Sequence, residues 1–192
     1  MRSRVPDLSR RCPACLFPPG ACLCPEIPRL VARTRVIFLR HAMERRRTTN
    51  TGRWAALALG AEVIDHALPD RSLQPAVIPT EGAAVLFPAP SGAGLPHPLP
   101  GTLVVVDASW SQARRMVQRL PELQRMPRLS LPAEVAVRLR RPTVPGGMST
   151  MEATAAALDL LGDAEAARGL RELHRTAVAR ALALRCVPGE AA

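Results

Sequence analysis

Apolar residues recur along this chain in two rhythms, separated by polar and Pro- or Gly-rich connections. T-R-V-I-F-L-R-H, from Thr34, is a short continuous apolar run that predicts a buried strand. The Arg-rich E-R-R-R-T-T-N-T-G that follows predicts a loop, and Asn50 or Thr51 suits the cap of a helix over R-W-A-A-L-A-L-G-A. A-E-V-I-D-H-A-L predicts the next strand. Between residues 69 and 101 Pro and Gly surround one apolar run, A-A-V-L-F-P-A, which predicts a strand passing straight into a loop. G-T-L-V-V-V-D-A has the unbroken apolar character of a strand buried on both faces. W-S-Q-A-R-R-M-V-Q-R-L then shows helical spacing, with Trp110, Ala113, Val117 and Leu120 on one face and Arg114, Arg115 and Arg119 off it. A Pro-interrupted extended stretch over 127–145 leads to two closing helices, S-T-M-E-A-T-A-A-A-L-D-L-L-G and A-E-A-A-R-G-L-R-E-L-H-R-T-A-V-A-R-A-L-A-L-R. Strands alternating with helices predict an α/β fold with a mainly parallel sheet covered on both sides. The front lacks periodicity and is rich in Cys and Pro, so the expected organisation is a small module over 1–30 and one larger domain over 31–192.

The length of 192 residues suits that arrangement and leaves no room for two full domains with linkers. With 47% hydrophobic and 22% charged residues, wholesale disorder is excluded. No apolar run reaches the roughly 18 to 20 residues of a bilayer span, and M-R-S-R-V-P-D-L-S-R-R-C-P-A-C has no apolar signal-peptide segment. The expectation is a cytoplasmic protein with no membrane partner and no evident obligate protein partner.

The net charge of +10 is unevenly distributed. Residues 1–55 hold 12 Arg against 3 acids, residues 56–109 hold 1 against 5, residues 110–141 hold 8 against 2, and residues 142–192 hold 5 against 6. All 26 basic residues are Arg, for which a GC-rich genome is a sufficient reason. Composition does not explain the clustering. Two basic blocks on a neutral to acidic body point to a polyanionic partner, with nucleic acid favoured over a membrane surface. Only five aromatic residues are present, which argues against an aromatic platform for stacking single-stranded bases.

The densest chemical signal is Cys12-x-x-Cys15-x6-Cys22-x-Cys24. Four soft thiolate donors at tight turns suit a structural, tetrahedral Zn2+ site, and disulfide pairing is the alternative. Asp107-Ala108-Ser109-Trp110 follows a buried strand and precedes a helix, where open α/β sheets place their ligand sites. Asp107 or Ser109 acting only as a helix cap is the competing reading. Gly146-Gly147-Met148-Ser149-Thr150-Met151-Glu152 contains the capping box Ser149-x-x-Glu152, and a helix start of this kind also exposes N–H groups able to hold a carboxylate or phosphate. His41, Glu44, Asn50 and Arg53 lie in the loop after the first strand, beside Arg45, Arg46 and Arg47. His66, His97 and His174 have no spacing that marks a site.

Together these stretches resemble the DTW-domain family, the tRNA-uridine aminocarboxypropyltransferases. The resemblance rests on C-P-A-C…C-L-C, H-A-M-E…N-T-G-R at 41–53, V-L-F-P at 85–88, D-A-S-W-S-Q-A at 107–113 and R-R-P…S-T-M-E-A at 140–153. Ser109 replaces the family's Thr in the name-giving Asp-x-Thr-Trp, and Ala42 replaces the Pro of its His-Pro-x-Glu. Ser keeps the hydroxyl, and Ala removes no functional group.

The resemblance implies a SPOUT-like sheet with a deep C-terminal knot that binds S-adenosylmethionine. It implies transfer of that molecule's 3-amino-3-carboxypropyl group to N3 of a tRNA uridine, releasing methylthioadenosine. On this reading Leu86, Phe87, Pro88, Asp107, Ser109, Trp110, Ser149, Thr150 and Glu152 border the co-substrate, and Asp107 takes the N3 proton. Arg45, Arg46, Arg47, Arg53, Arg114 and Arg115 contact RNA, and Cys12, Cys15, Cys22 and Cys24 hold Zn2+. A SPOUT-like RNA methyltransferase, a non-catalytic zinc-ribbon RNA-binding protein, and the same chemistry on rRNA are the alternatives.

Overall fold

A computed structural model describes residues 7–66, 78–89, 94–131 and 148–186. Its centre is a five-stranded sheet in which every pairing is parallel. The strands are β1 (Arg35–His41), β2 (Glu62–His66), β3 (Ala83–Leu86), β4 (Thr102–Asp107) and β5 (Arg128–Leu129), in the spatial order β2-β1-β4-β3-β5. The α-helices of the described residues are α1 (Thr51–Leu59), α2 (Trp110–Arg119), α3 (Pro121–Arg125), α4 (Thr150–Leu160) and α5 (Ala164–Cys186), with short 3-10 turns at Pro19–Ala21, Cys24–Glu26 and Ala42–Glu44. The α/β class and the parallel sheet agree with the apolar pattern of the sequence. The C-terminal knot turns on the path of residues 132–147, which lie outside the described residues, as do Arg140 to Pro142 and Pro145 to Gly147 of the motif segments.

Successive residues of a strand point to opposite faces, so the apolar runs of β1 and β4 feed two cores. Val36, Phe38, Leu103 and Val105 face α1, α4 and α5, meeting Trp54, Met151, Leu158 and Leu170. Ile37, Leu39 and Val104 face the other way, onto Met116 and Val117 of α2, Leu123 of α3 and Met126. Cys15, Phe17 and Leu23 belong to the first of these cores, so the N-terminal Cys-rich segment is seated directly on α1 and α5.

Local signals account for the helix ends. The Asn50 side chain accepts the Arg53 N–H at 2.5 Å to start α1, and Gly60, with φ of 57°, ends it in the left-handed conformation. Ser109 precedes α2, its N–H and hydroxyl both donating to Gln112 Oε1 at 3.0 and 2.6 Å. Asp163, just before α5, accepts the N–H groups of Arg33 and Thr34 at 2.8 and 3.1 Å and so fixes the chain entering β1.

One expected face differs. Ala113, Met116 and Val117 are the buried residues of α2, whereas Trp110 is 39% exposed. Trp110 opens the helix at the rim of the sheet, where its ring has Phe87 to stack on instead of the core; the ring centroids are 5.4 Å apart and 11° from parallel. The stretch expected to be extended from 127 contributes the two residues of β5.

Candidate active site and cysteine cluster

The carboxyl ends of β1, β3 and β4 and the start of α4 meet at one rim of the sheet, and Asp107 lies at its centre. As the last residue of β4 it is 2% exposed. Its Oδ2 accepts from Asn50 Nδ2 at 2.8 Å and its Oδ1 accepts from the Thr150 hydroxyl at 2.9 Å. Asn50, itself buried, also reaches Glu44 Oε2 at 3.4 Å, so its amide nitrogen faces two carboxylates while its oxygen caps α1. The amide orientation is therefore set by three partners at once.

Burial pushes the Asp107 carboxyl above the ordinary carboxylate range, and it does so against the hydrogen bonds from Asn50 and Thr150 and the positive charges of Arg40 and Arg53. Arg40, the register partner of Asp107 on β1, is held away by a two-pronged pair with Asp65 on β2, at 2.7 and 3.0 Å. A raised pKa moves a carboxylate toward the range in which it works as a proton acceptor near neutrality. Each carboxylate oxygen offers two acceptor positions, and each here has one donor.

Thr150 is the first residue of α4 and is half-buried. Ser149, its cap, donates its N–H to Glu152 Oε2 at 2.8 Å and accepts the Glu152 N–H at 3.3 Å, closing the capping box expected from the sequence. The Met151 N–H reaches Thr51 Oγ1 at 3.4 Å. Several first-turn donors of α4 thus have partners within the chain, which narrows the groups left for an anionic ligand. Phe87, after β3, is stacked on Trp110 and has the Arg128 guanidinium 5.8 Å from its ring centre. Two of the five aromatic residues therefore do form a partly exposed stack at the rim, despite the low aromatic content.

The basic residues divide by environment. Arg45, Arg46, Arg47, Arg114 and Arg115 are exposed. Arg45 lies 3.6 Å from Asp65, and Arg47 lies 3.2 Å from Glu44. Burial, His66 and Arg115 all lower the pKa of His41, which places α2 close to the end of β1. Among the described residues, Arg115 of the second basic block and Arg45 to Arg47 of the first thus lie near the same end of β1. Arg53 is different: its Nη1 donates to Ala14 O at 3.3 Å and its Nη2 to Arg45 O at 2.6 Å, and burial lowers its pKa.

The four cysteines of the front segment come together as their spacing indicated. All four Sγ atoms lie within 4.8 Å of one another, with Cys12 and Cys24 at 3.6 Å and Cys15 and Cys22 at 3.8 Å. A disulfide requires about 2.05 Å, so these are thiols. Tetrahedral zinc with bonds of about 2.3 Å has sulfur–sulfur edges of about 3.8 Å, so the cluster can hold a metal ion and is consistent with zinc. The N–H groups of Cys15 and Ala14 bring Cys12 down to about 6, whereas burial and the neighbouring sulfurs push Cys24 up to about 12. Four thiols sharing one space lose the first proton easily and the last against accumulated negative charge, a repulsion that a divalent cation removes. The Cys186 side chain lies outside the described residues.

A family model of the DTW domain matches residues 9–182, nearly the whole chain. The chain belongs to the DTW-domain family. The match spans the cysteine cluster, Asp107 and the start of α4, so the DTW region contains every constellation described above. Membership is consistent with a tRNA-modifying transferase. No solved structure matches this DTW protein. Among its described residues no helix is long and apolar enough to cross a membrane.

Sequence reasoning missed several parts of this candidate site. The Asn50–Asp107 bond joins residues 57 positions apart, and no local pattern signals it. Arg40 stands just before the 41–53 motif segment, and Arg128, outside every motif segment, reaches Phe87 only through the fold. His174, to which no role was given, lies against Ser149.

Proposed function

We propose that this DTW protein transfers the 3-amino-3-carboxypropyl group of S-adenosylmethionine to N3 of a uridine in tRNA and releases methylthioadenosine. The observation that carries the reading is the buried Asp107 carboxylate, held between Asn50 and Thr150 at the carboxyl end of the central parallel strand. Ligands of open parallel sheets collect at this end. A SPOUT-like arrangement would put S-adenosylmethionine against Leu86, Phe87 and Pro88, against Ser109 and Trp110, and against the Ser149–Glu152 turn.

The transfer forms a bond from uridine N3 to the Cγ of the methionyl portion and breaks the bond from that carbon to the sulfonium, whose electron pair leaves with neutral methylthioadenosine. The N3 proton must also leave. Asp107 has little surface of its own, but the half-buried Thr150 hydroxyl already donates to it. Thr150 therefore accepts the N3 proton as its own hydroxyl proton passes to Asp107 Oδ1. The rest of the work is orientation, because the same sulfonium presented by its methyl group would methylate instead. Exposed Arg45, Arg46, Arg47, Arg114 and Arg115 supply phosphate contacts, which position RNA without reading it. Arg53 supports that surface through the Arg45 carbonyl.

The cysteine cluster is the proposed zinc site, closed by four protein sulfurs and so structural. It belongs to a front module over 1–30 that buttresses the site, with Trp54 Nε1 donating to Cys15 O at 2.9 Å and Phe17 stacked on Trp54. The proposed location is the cytoplasm, where zinc thiolates persist in preference to disulfides.

Incubating the purified protein with S-adenosylmethionine and tRNA lacking the modification, followed by mass spectrometry of nucleosides and small-molecule products, tests the reaction. Aminocarboxypropyl-uridine together with methylthioadenosine is expected. Release of S-adenosylhomocysteine would make the protein a methyltransferase, and no binding of S-adenosylmethionine would leave an RNA-binding module.

A further inference from the structure

The last long helix brings a buried histidine to the back of the site. His174 on α5 is 4% exposed, and its Nε2 lies 3.2 Å from Ser149 Oγ and 3.8 Å from Glu152 Oε2. Ser149 and Glu152 form the capping box of α4, and Thr150, the residue after Ser149 in the chain, donates its hydroxyl to Asp107. His174 and Asp107 therefore contact adjacent residues of one helix start. We propose that His174 is a positioning residue: in its neutral form it locks the Ser149–Glu152 cap, and through that cap it holds the Thr150 hydroxyl on Asp107. The catalytic consequence rests on the role given above to Asp107.

The donors and acceptors are all satisfied when Ser149 donates to His174. Ser149 Oγ already accepts the Glu152 N–H, so its hydroxyl proton is free to be donated. With the imidazole proton on Nδ1, Nε2 accepts that hydroxyl, and all members of the box are satisfied. Protonated His174 would present an N–H at Nε2 instead. That N–H would reverse the bond to Ser149 Oγ, turning its hydroxyl away, and would draw on the Glu152 carboxylate that holds the Ser149 N–H. Drawing that carboxylate off the Ser149 N–H loosens the first turn of α4, where Thr150 stands.

The surroundings keep the ring neutral. Burial lowers the His174 pKa, with Glu152 pulling the other way. Among the described residues of the packed elements, Glu152 is the charged group that faces it. Asp159 on α4 is paired with Arg171 at 2.7 Å, Glu26 of the front module is paired with Arg180, and Arg53 on α1 is turned to backbone carbonyls.

Two variants of the full chain test the proposal. Gln carries an amide near the Nε2 position and does not titrate, so in His174→Gln its oxygen can accept the Ser149 hydroxyl at every pH; His174→Leu fills the space and cannot. Expected is a drop of about tenfold or more in kcat for His174→Leu with a smaller change in KM for S-adenosylmethionine, and recovery of most of that drop in His174→Gln. Wild type should lose turnover through the His174 titration below neutral pH, and His174→Gln should not show that step. A wild-type pH profile in His174→Gln, or full kcat in a folded His174→Leu, overturns the proposal. The structural link is read without turnover by nitrogen-15 NMR: the amides of Ser149, Thr150 and Glu152 should shift with the His174 titration in wild type and stay put in His174→Gln. Amides that ignore that titration overturn the proposal even if the transferase assignment stands. Amides that follow it in a protein without transferase activity leave the link intact and remove only its catalytic consequence.

Discussion

Gly52 lies directly against the carboxylate of Asp107. A Cβ built at Gly52 would stand 2.5 Å from Asp107 Cγ and Oδ1, closer than any real carbon contact. The first turn of α1 thus approaches the end of β4 through a position where only a hydrogen fits. Gly52→Ala must displace either the helix or the carboxylate. A loss of about 1–3 kcal/mol in denaturant unfolding is expected. Because the displaced group is the proposed proton acceptor, methylthioadenosine release should fall by about tenfold or more.

Asp107→Asn should separate stability from function. The Asp107 pKa is raised on folding, so the folded chain holds this proton more tightly than the unfolded chain. Its contribution to stability is present below the unfolded value of 3.8 and is lost as pH rises through the folded pKa. Asn has the same shape and no charge, and its amide can accept from Asn50 and donate to the Thr150 oxygen. The variant should melt higher than wild type at neutral pH, with the gap closing in acid, and should lose turnover. Thermal melts from about pH 5 to pH 8 beside single-turnover assays check both.

Thr150→Val removes a hydrogen bond that favours the ionised carboxylate. The Asp107 pKa should rise further, so the acid limb of the pH–rate profile should move to higher pH. If the hydroxyl also carries the proton, turnover should fall by about a hundredfold at every pH. An unchanged acid limb would separate Thr150 from Asp107 titration.

Metal analysis should find one zinc per chain, bound by Cys12, Cys15, Cys22 and Cys24. Because Cys15, Phe17 and Leu23 share a core with Trp54 and Leu170, chelation or Cys24→Ser should lower the melting temperature of the whole protein in a single transition. A separate low-temperature transition would mean that the front module unfolds by itself.

Salt dependence should sort the arginines. Replacing an exposed residue such as Arg46 or Arg115 with Ala should reduce the slope of log K against log salt for tRNA binding by about 0.7 to 0.9 per lost phosphate contact. Arg53→Ala should lower stability while leaving the slope nearly unchanged, because its Nη groups donate to Ala14 O and Arg45 O.

What the sequence by itself determined is local or periodic. The apolar runs of β1 and β4, the caps at Asn50 and Ser149, and the tight spacing of Cys12, Cys15, Cys22 and Cys24 act over a few residues, where propensity and geometry leave little choice. The order of motifs also carried the family, because several weak patterns in one order are jointly specific. The candidate site is of another kind. Asn50, Asp107, Thr150 and His174 come from four elements, and each earns its role by an approach that no window of sequence contains. The same holds for Trp110, whose helical spacing alone put it on the buried face of α2. Only packing showed that the helix starts at the rim of the sheet, where Phe87 receives the ring. Burial is a sum over all neighbours, so the raised pKa of Asp107 exists only once α1, α4 and the sheet have closed around it.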